Sequence, residues 1–385
     1  MKSKSPPRAT LRLIAMAVAT IQPIAIGRAE TITFVKSCAP GTHITIAAVG
    51  DLLFNGDLQQ HALSSKGSYR PIWASIEPII RRVDLAYGNL EGPVANRVTF
   101  DGKLIPDPGR NWLSPVYRAP RPYSSFNYHP SLIADLKKSG FGVVSTANNH
   151  ALDRGATGVE QTIDNLERNG LAFAGTRKRH ETNRAWSAVT KVNGFTLAWV
   201  ACTYGLNGRP DLWRQVLLCY DERESVLDEI RRRASDPTID AVVFVPHWGT
   251  QFSVETEQKQ RDLAGQAVKA GALLVIGAHP HMVQPWAKLI GPDGREALVI
   301  YSSGDFVSNE LASPNRAGLV SLIELWKGPE ASKAFVSAAA YAATRMDLTP
   351  APHVVEVPST NLVPQLPQGN RATLARALSL PRDCQ

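Results

Sequence analysis

SLIADLKKSGFGVVSTANNHALDRGATGVEQTIDNL (131–166) holds one full turn of an alternating architecture. SLIADLKKSG (131–140) reads as a helix closed by Gly140. FGVVSTANNH (141–150) reads as a strand that runs out into polar residues. Thr157 and Glu160 have the spacing of a capping box, so the next helix is expected to start there and to end at Gly170.

The same alternation extends both ways. HITIAAVGDLLF (43–54) reads as a buried strand ending at Gly50–Asp51. PIWASIEPIIRRVD (71–84) reads as a helix, and DLAYGNLEGPV (84–94) as a short strand entering a turn. LAFAGT, FTLAWVACTYGL, AVVFVPHWG (241–249), LLVIGAHPH (273–281), ALVIYSSGDFVS (297–308) and GLVSLIELW (318–326) read as further strands. TEQKQRDLAGQAVKAG (256–271) reads as a helix, and RRRASD (231–236) as the solvated end of another. Such alternation predicts an α/β fold with at least one partly parallel sheet. Residues 95–129 break the pattern with proline, arginine and aromatics, and a loop of that length inside a domain is an insertion or carries function.

The 385 residues are 44% hydrophobic and 20% charged, enough to bury a core as one large domain or two smaller ones. Residues 1–29 stand apart. Lys2, Lys4, Arg8 and Arg12 precede the apolar LIAMAVATIQPIAI, and Gly27 and Ala29 follow. That order predicts a secretory signal peptide, or an N-terminal anchor where it stays uncleaved. Removing the five cations of this segment takes the formal charge from +8 to +3, which speaks against a nucleic-acid partner. An exported chain leaves two readings for its four cysteines: disulfides Cys202–Cys219 and Cys38–Cys384, or four free thiols. The stretch 351–385, rich in Pro, Val and Ala, is expected to finish an edge of the fold and then trail away as a tail.

Five strands end in residues able to bind a metal: Asp51, Glu91, Asn149–His150, His247 and the pair His279/His281. In α/β folds the ends of strands converge on one crevice. Four of the nine histidines fall at such ends, a placement that ordinary burial does not select. Pro280, between His279 and His281, lowers the entropy of holding both imidazoles. Oxygen and imidazole donors without thiolate suit Mn, Zn, Fe or Mg. Two such cations bridged by a carboxylate are machinery for hydrolysing a phosphoester.

The ordered series VGDLLF, YGNLEGP, SLIADLKKSGFGVVSTANNHALDRGATGVEQTIDNL, VPHWGTQF, VIGAHPHMVQP and IYSSGDFVSN resembles the CapA-type family. That family holds bacterial capsule-synthesis and poly-γ-glutamate-synthesis accessory proteins within the calcineurin-like metallophosphoesterase superfamily. The resemblance spans roughly residues 44–326 and implies a metallophosphatase-like four-layer sandwich over 42–350, with two packed mixed β-sheets flanked by helices. It places Asp51 and His281 on one of two divalent cations and Asn149, His247 and His279 on the other, with Glu91 as the bridging carboxylate. It gives His150 the leaving-group role and makes Asp153 the carboxylate that orients it. Three positions depart from the pattern. Leu52 and Leu53 stand where the superfamily has a histidine ligand two residues after the aspartate. Gln251 replaces a glutamate common after HWG. Asp305 replaces the asparagine of YSLGNF, as an extra acid near the site or a turn residue.

The function so implied is that of an exported, periplasmic or extracellular hydrolase of the capsule or poly-γ-glutamate type. It would act on a phosphoester or polymer-linked substrate beside a membrane-bound capsule-synthesis complex. The alternative is a non-catalytic envelope accessory that binds an anionic polymer such as poly-γ-glutamate through Arg97, Arg110, Arg118 and Arg121.

Overall fold

Along the chain, β1 (Thr42–Leu52) is followed by α1 (Gly56–Ser64), α2 (Glu77–Ile80) and β2 (Leu85–Leu90), then by α3 (Ser131–Ser139), β3 (Phe141–Ser145), α4 (Gly155–Arg168) and β4 (Ala172–Ala174). The four strands are parallel neighbours in that order. A second sheet follows from β5 (Ser187–Val192), β6 (Phe195–Thr203), α5 (Arg223–Ser235), β7 (Ala241–His247), α6 (Gln258–Ala270), β8 (Ala272–Ile276), β9 (Trp286–Ile290) and β10 (Glu296–Ile300). Its strand order is β5-β6-β7-β8-β10-β9, parallel at the centre and antiparallel at both edges. The chain then returns to the first sheet. β11 (Asp305–Val307) pairs parallel to β1, while β12 (Ala317–Lys327), β13 (Phe335–Asp347) and β14 (His353–Glu356) add antiparallel strands.

The computed structural model describes residues 1, 32–35, 41–54, 56–64, 67–120, 125–309, 316–329 and 333–357. The leader expected over 1–29 lies outside them beyond Met1, as do Cys38, Cys384, Arg121 and the tail from 358 onward.

Burial explains the layering. Every residue of β7 and β8 is buried, as a strand covered on both faces requires. Between the sheets, Leu197, Val243, Leu274 and Leu298 join Ile44, Ile46 and Val143 in one core, and Tyr87 stacks on Trp199 at 5.2 Å. The far face of the second sheet packs Ala198, Val242 and Val275 against Val226 and Ile230 of α5 and Leu263 and Ala267 of α6. α3 covers the first sheet with Leu132, Ile133 and Leu136. The result is the four-layer α/β sandwich of two mixed sheets expected from the sequence.

Several local expectations are corrected. Residues 71–84 do not form one helix: a 3-10 turn at Arg70–Trp73 and the single turn of α2 replace it. Pro78 has no N–H to give to Ala74, and its ring crowds that carbonyl. Thr157 and Glu160 form no capping box. α4 already starts at Gly155, and Glu160 turns outward to Arg179 at 2.6 Å. The capping box belongs to α6, between Glu257 and Gln260. ALVIYSSGDFVS (297–308) is two strands in two sheets, because the chain leaves β10 and crosses to β1 through Ser302–Gly304. That crossing is tight. A Cβ at Gly50 would lie 1.8 Å from the Gly304 carbonyl oxygen, so VGD needs its glycine. At the other end, β14 (353–356) finishes an edge of the first sheet, as expected of the start of the 351–385 stretch. Cys202 and Cys219 form a disulfide across a separation of 17 residues.

Candidate metal centre

The strand ends meet. Parallel pairing puts the tips of β1, β2 and β3 in one row, and the β7 tip faces them from the second sheet. Asp51 and Glu91 are both fully buried there. Asn89 lies two residues before Glu91 and so shares its face of the strand. It donates from Nδ2 to Asp51 Oδ1 at 2.7 Å, contacts His247 Nδ1 at 3.1 Å and accepts from Ser145 at 2.7 Å. It is a hub the sequence reading passed over, and the NLE spacing was its only signal.

The HPH segment delivers both imidazoles through an unusual backbone. His279 has φ 100° and His281 φ 55°, the left-handed region that non-glycine residues rarely occupy. Such strain persists only where the surroundings impose it, and it clusters at working sites. Here Asp51 Oδ2 accepts from the His279 backbone N–H at 3.2 Å, and the residue between the histidines is proline.

Two groups of donors result. Glu91, His247 and His279 present atoms within 4.8 Å of one another, and so do Asp51, His281 and Asp305. Asn149 joins the first group, with Oδ1 at 2.8 Å from His247 Nε2. Asp305 joins the second: His281 Nδ1 is 2.8 Å from it and 3.3 Å from Asp51. Leu52, the last residue of β1, and Leu53 are buried and apolar where the superfamily has a histidine.

The electrostatics match a cation site. Both Glu91 carboxylate oxygens are buried without a hydrogen-bond partner. Burial, then the Asp51 charge, pushes the Glu91 carboxyl well above its ordinary range. A buried carboxylate left so is costly unless a cation answers it. Burial and the neighbouring histidines hold His247 far below the usual imidazole value, and burial first, then His281, brings His279 to about 3. Both rings therefore keep a lone pair at neutral pH. His281 goes the other way: burial opposes its charge, but Asp305 and Glu91 outweigh burial and hold the proton on. Oxygen and imidazole donors of this kind fit hard or borderline divalent cations.

His150 stands beside these groups. Its Nδ1 is 2.8 Å from Asp153 Oδ2, which also accepts the Phe126 backbone N–H at 2.6 Å. The Phe126 ring lies 4.3 Å from the imidazole. The other Asp153 oxygen faces Arg209 at 3.3 Å. The following residue, Arg154, is buried and reaches Val116 and Ser125, tying the irregular 95–129 segment to the site. Burial pushes its guanidinium down to about 10, still cationic at neutral pH. Arg97, Arg110 and Arg118 are exposed. Tyr204 lies 4.4 Å from the His279 ring and Phe252 5.8 Å from His281.

A family model of the bacterial capsule synthesis protein PGA_cap matches residues 45–310, the stretch that carries all of these strand ends. The chain belongs to that family. It is 26% identical over 322 residues to the capsule biosynthesis protein CapA of Bacillus anthracis, covering 80% of this chain and 70% of that one. It is 26% identical over 289 residues to the PGA biosynthesis protein CapA of Bacillus subtilis, covering 74% and 68%. Likeness to a solved protein, TT1561 of Thermus thermophilus, is slight at TM-score 0.36 and 11% identity, over 77% of this chain and 98% of that one. Asn89, Phe126, Arg154, Tyr204, Asn207, Arg209 and Phe252 are site neighbours that the sequence of this PGA_cap chain did not single out.

Proposed function

We propose that this PGA_cap chain is an exported phosphoester hydrolase that holds two divalent cations and serves capsule or poly-γ-glutamate production. The observation that carries the reading is Glu91: a buried carboxylate without a hydrogen bond, grouped with His247 and His279 and under the charges of Asp51 and His281. Such cations supply Lewis acidity, acidifying water and neutralising charge on a phosphoryl group.

The chain's own residues supply the rest. His150, the residue after Asn149, gives a proton to the departing oxygen. Asp153 fixes the ring through Nδ1, which leaves Nε2 for that transfer. The Phe126 ring packs at a tilt beside the imidazole, 4.3 Å away. Arg209 presents its charge beside Asp153, where an anionic substrate arrives. A polymer-linked or lipid-linked phosphoester suits an envelope setting and the curated relatives' part in capsule biosynthesis.

The test is turnover of a chromogenic phosphoester by protein supplied in turn with Mn, Zn, Fe and Mg. Metal-dependent turnover that the chelator EDTA abolishes supports the reading, and no turnover with any of the four argues against it. The exposed arginines of the 95–129 segment favour a second reading, a non-catalytic accessory that binds anionic polymer. Polyglutamate binding that weakens with salt and is lost when Arg97, Arg110 and Arg118 become alanine would favour that one.

A further inference from the structure

The turn after β6 touches the centre at three places. The Tyr204 backbone N–H donates to the His247 carbonyl at 2.8 Å, which pins the turn to the tip of β7. The Tyr204 ring lies 4.4 Å from His279 and stacks nearly parallel on His247 at 6.4 Å. Three residues on, Asn207 Oδ1 accepts from Asn149 Nδ2 at 3.2 Å. Asn207 and Gly208 both sit in the left-handed region, with φ 51° and 73°, which asparagine and glycine adopt at least cost. The Cys202–Cys219 disulfide closes the base of the loop.

A carboxamide has two ends of similar size, and only the oxygen ligates a cation. Asn149 is buried, yet its strand tip alone does not decide which end faces His247. The acceptor on Asn207 takes the amide nitrogen, which leaves Oδ1 at 2.8 Å from His247 Nε2. Outer partners of this kind are worth roughly ten- to a hundredfold in metal affinity.

We infer that the Tyr204–Asn207 turn is a positioning element that fixes the Asn149 carboxamide with its oxygen toward the cation shared with His247. The inference rests on reading the centre as a cation site. It adds that one of the two cations depends on a loop outside the donor set, and the other, at Asp51 and His281, does not.

The test uses the full-length protein with Mn²⁺, read by titration calorimetry and by the electron paramagnetic resonance signal of bound Mn²⁺. Y204F/N207G keeps the ring and the left-handed backbone but removes the Asn207 acceptor of Asn149 and the Tyr204 hydroxyl. It is expected to bind one of the two cations at least tenfold more weakly, the other unchanged, with the melting temperature of the metal-free protein retained. N207D, with Tyr204 intact, still offers an acceptor and is expected to bind no more weakly than wild type. Because the turn acts through Asn149, adding Y204F/N207G to N149A should weaken binding no further than N149A does alone. Two cations bound equally well by wild type and Y204F/N207G overturn the inference and leave the cation site standing. An additive loss in the triple variant overturns it too, by assigning the turn a merely structural role. A wild-type protein that takes up no Mn²⁺ overturns the cation site and the inference together.

Discussion

Asp51 and Asp305 face each other across the parallel pairing of β1 and β11, with His281 Nδ1 between their carboxylates at 3.3 and 2.8 Å. Two strands distant in sequence thereby place two acids on one imidazole, and a single glycine contact, Gly50 against Gly304, permits the approach. Asp305 is a member of the donor group, not a turn residue. Replacing it with asparagine restores the residue usual in the resembling family and removes one anion. D305N should keep its fold and bind the cation at Asp51 and His281 roughly tenfold more weakly, measured by calorimetric titration. Unchanged affinity would place Asp305 outside the centre.

Glu91 and His281 both hold protons more tightly than usual in the metal-free protein. A cation must displace them. The sign follows: protons compete at pH values above the ordinary glutamate value of 4.5, so affinity rises with pH across the near-neutral range. His279, already neutral down to about 3, adds nothing to that slope. Dissociation constants measured between about pH 5 and 8 should fall as pH rises. A flat profile would contradict the assigned protonation of the centre.

His150 Nδ1 and Asp153 Oδ2 lie 2.8 Å apart, so on the proposed hydrolase reading their losses should not add. H150A should lower kcat by roughly a hundredfold or more with little change in metal content. D153N, which weakens the hold on Nδ1, should cost part of that, and H150A/D153N no more than H150A alone. Steady-state kinetics beside elemental analysis makes the check.

The Cys202–Cys219 disulfide closes a loop of modest length, for which chain entropy predicts about 3 kcal/mol. C202A/C219A should lose about that much in a urea titration. A loss near zero would mean that the loop is ordered by its packing alone.

Much of this was legible in the sequence. The alternation of strands and helices gave an α/β fold with a partly parallel sheet, and the polar residues ending each strand gave the strand-end cluster, because burial on both faces writes continuous apolar runs; the two-sheet sandwich came from the family resemblance. Asp51, Glu91, Asn149, His247, His279 and His281 could be picked out for that reason. Local helix signals served less well. Pro78 broke an expected helix, and the capping pattern at Thr157 lost to the pull of Arg179 on Glu160. The residues that were passed over, Asn89, Tyr204 and Asn207, act only through other side chains. Asn207 meets Asn149 across 58 positions of chain, and no period in the sequence records such a meeting. The left-handed backbone of His279 and His281 was likewise invisible, since partners distant in sequence, such as the Asp51 carboxylate on the His279 N–H, hold it.

The central claim is that two divalent cations sit where Glu91 is buried without a partner. Elemental analysis of protein isolated from its native envelope, beside the E91Q variant prepared in the same way, tests it most directly. Close to two equivalents of Mn, Zn, Fe or Mg per wild-type chain, falling clearly in E91Q, is the expected result. Metal at trace level in both, from protein that is folded, would contradict the account.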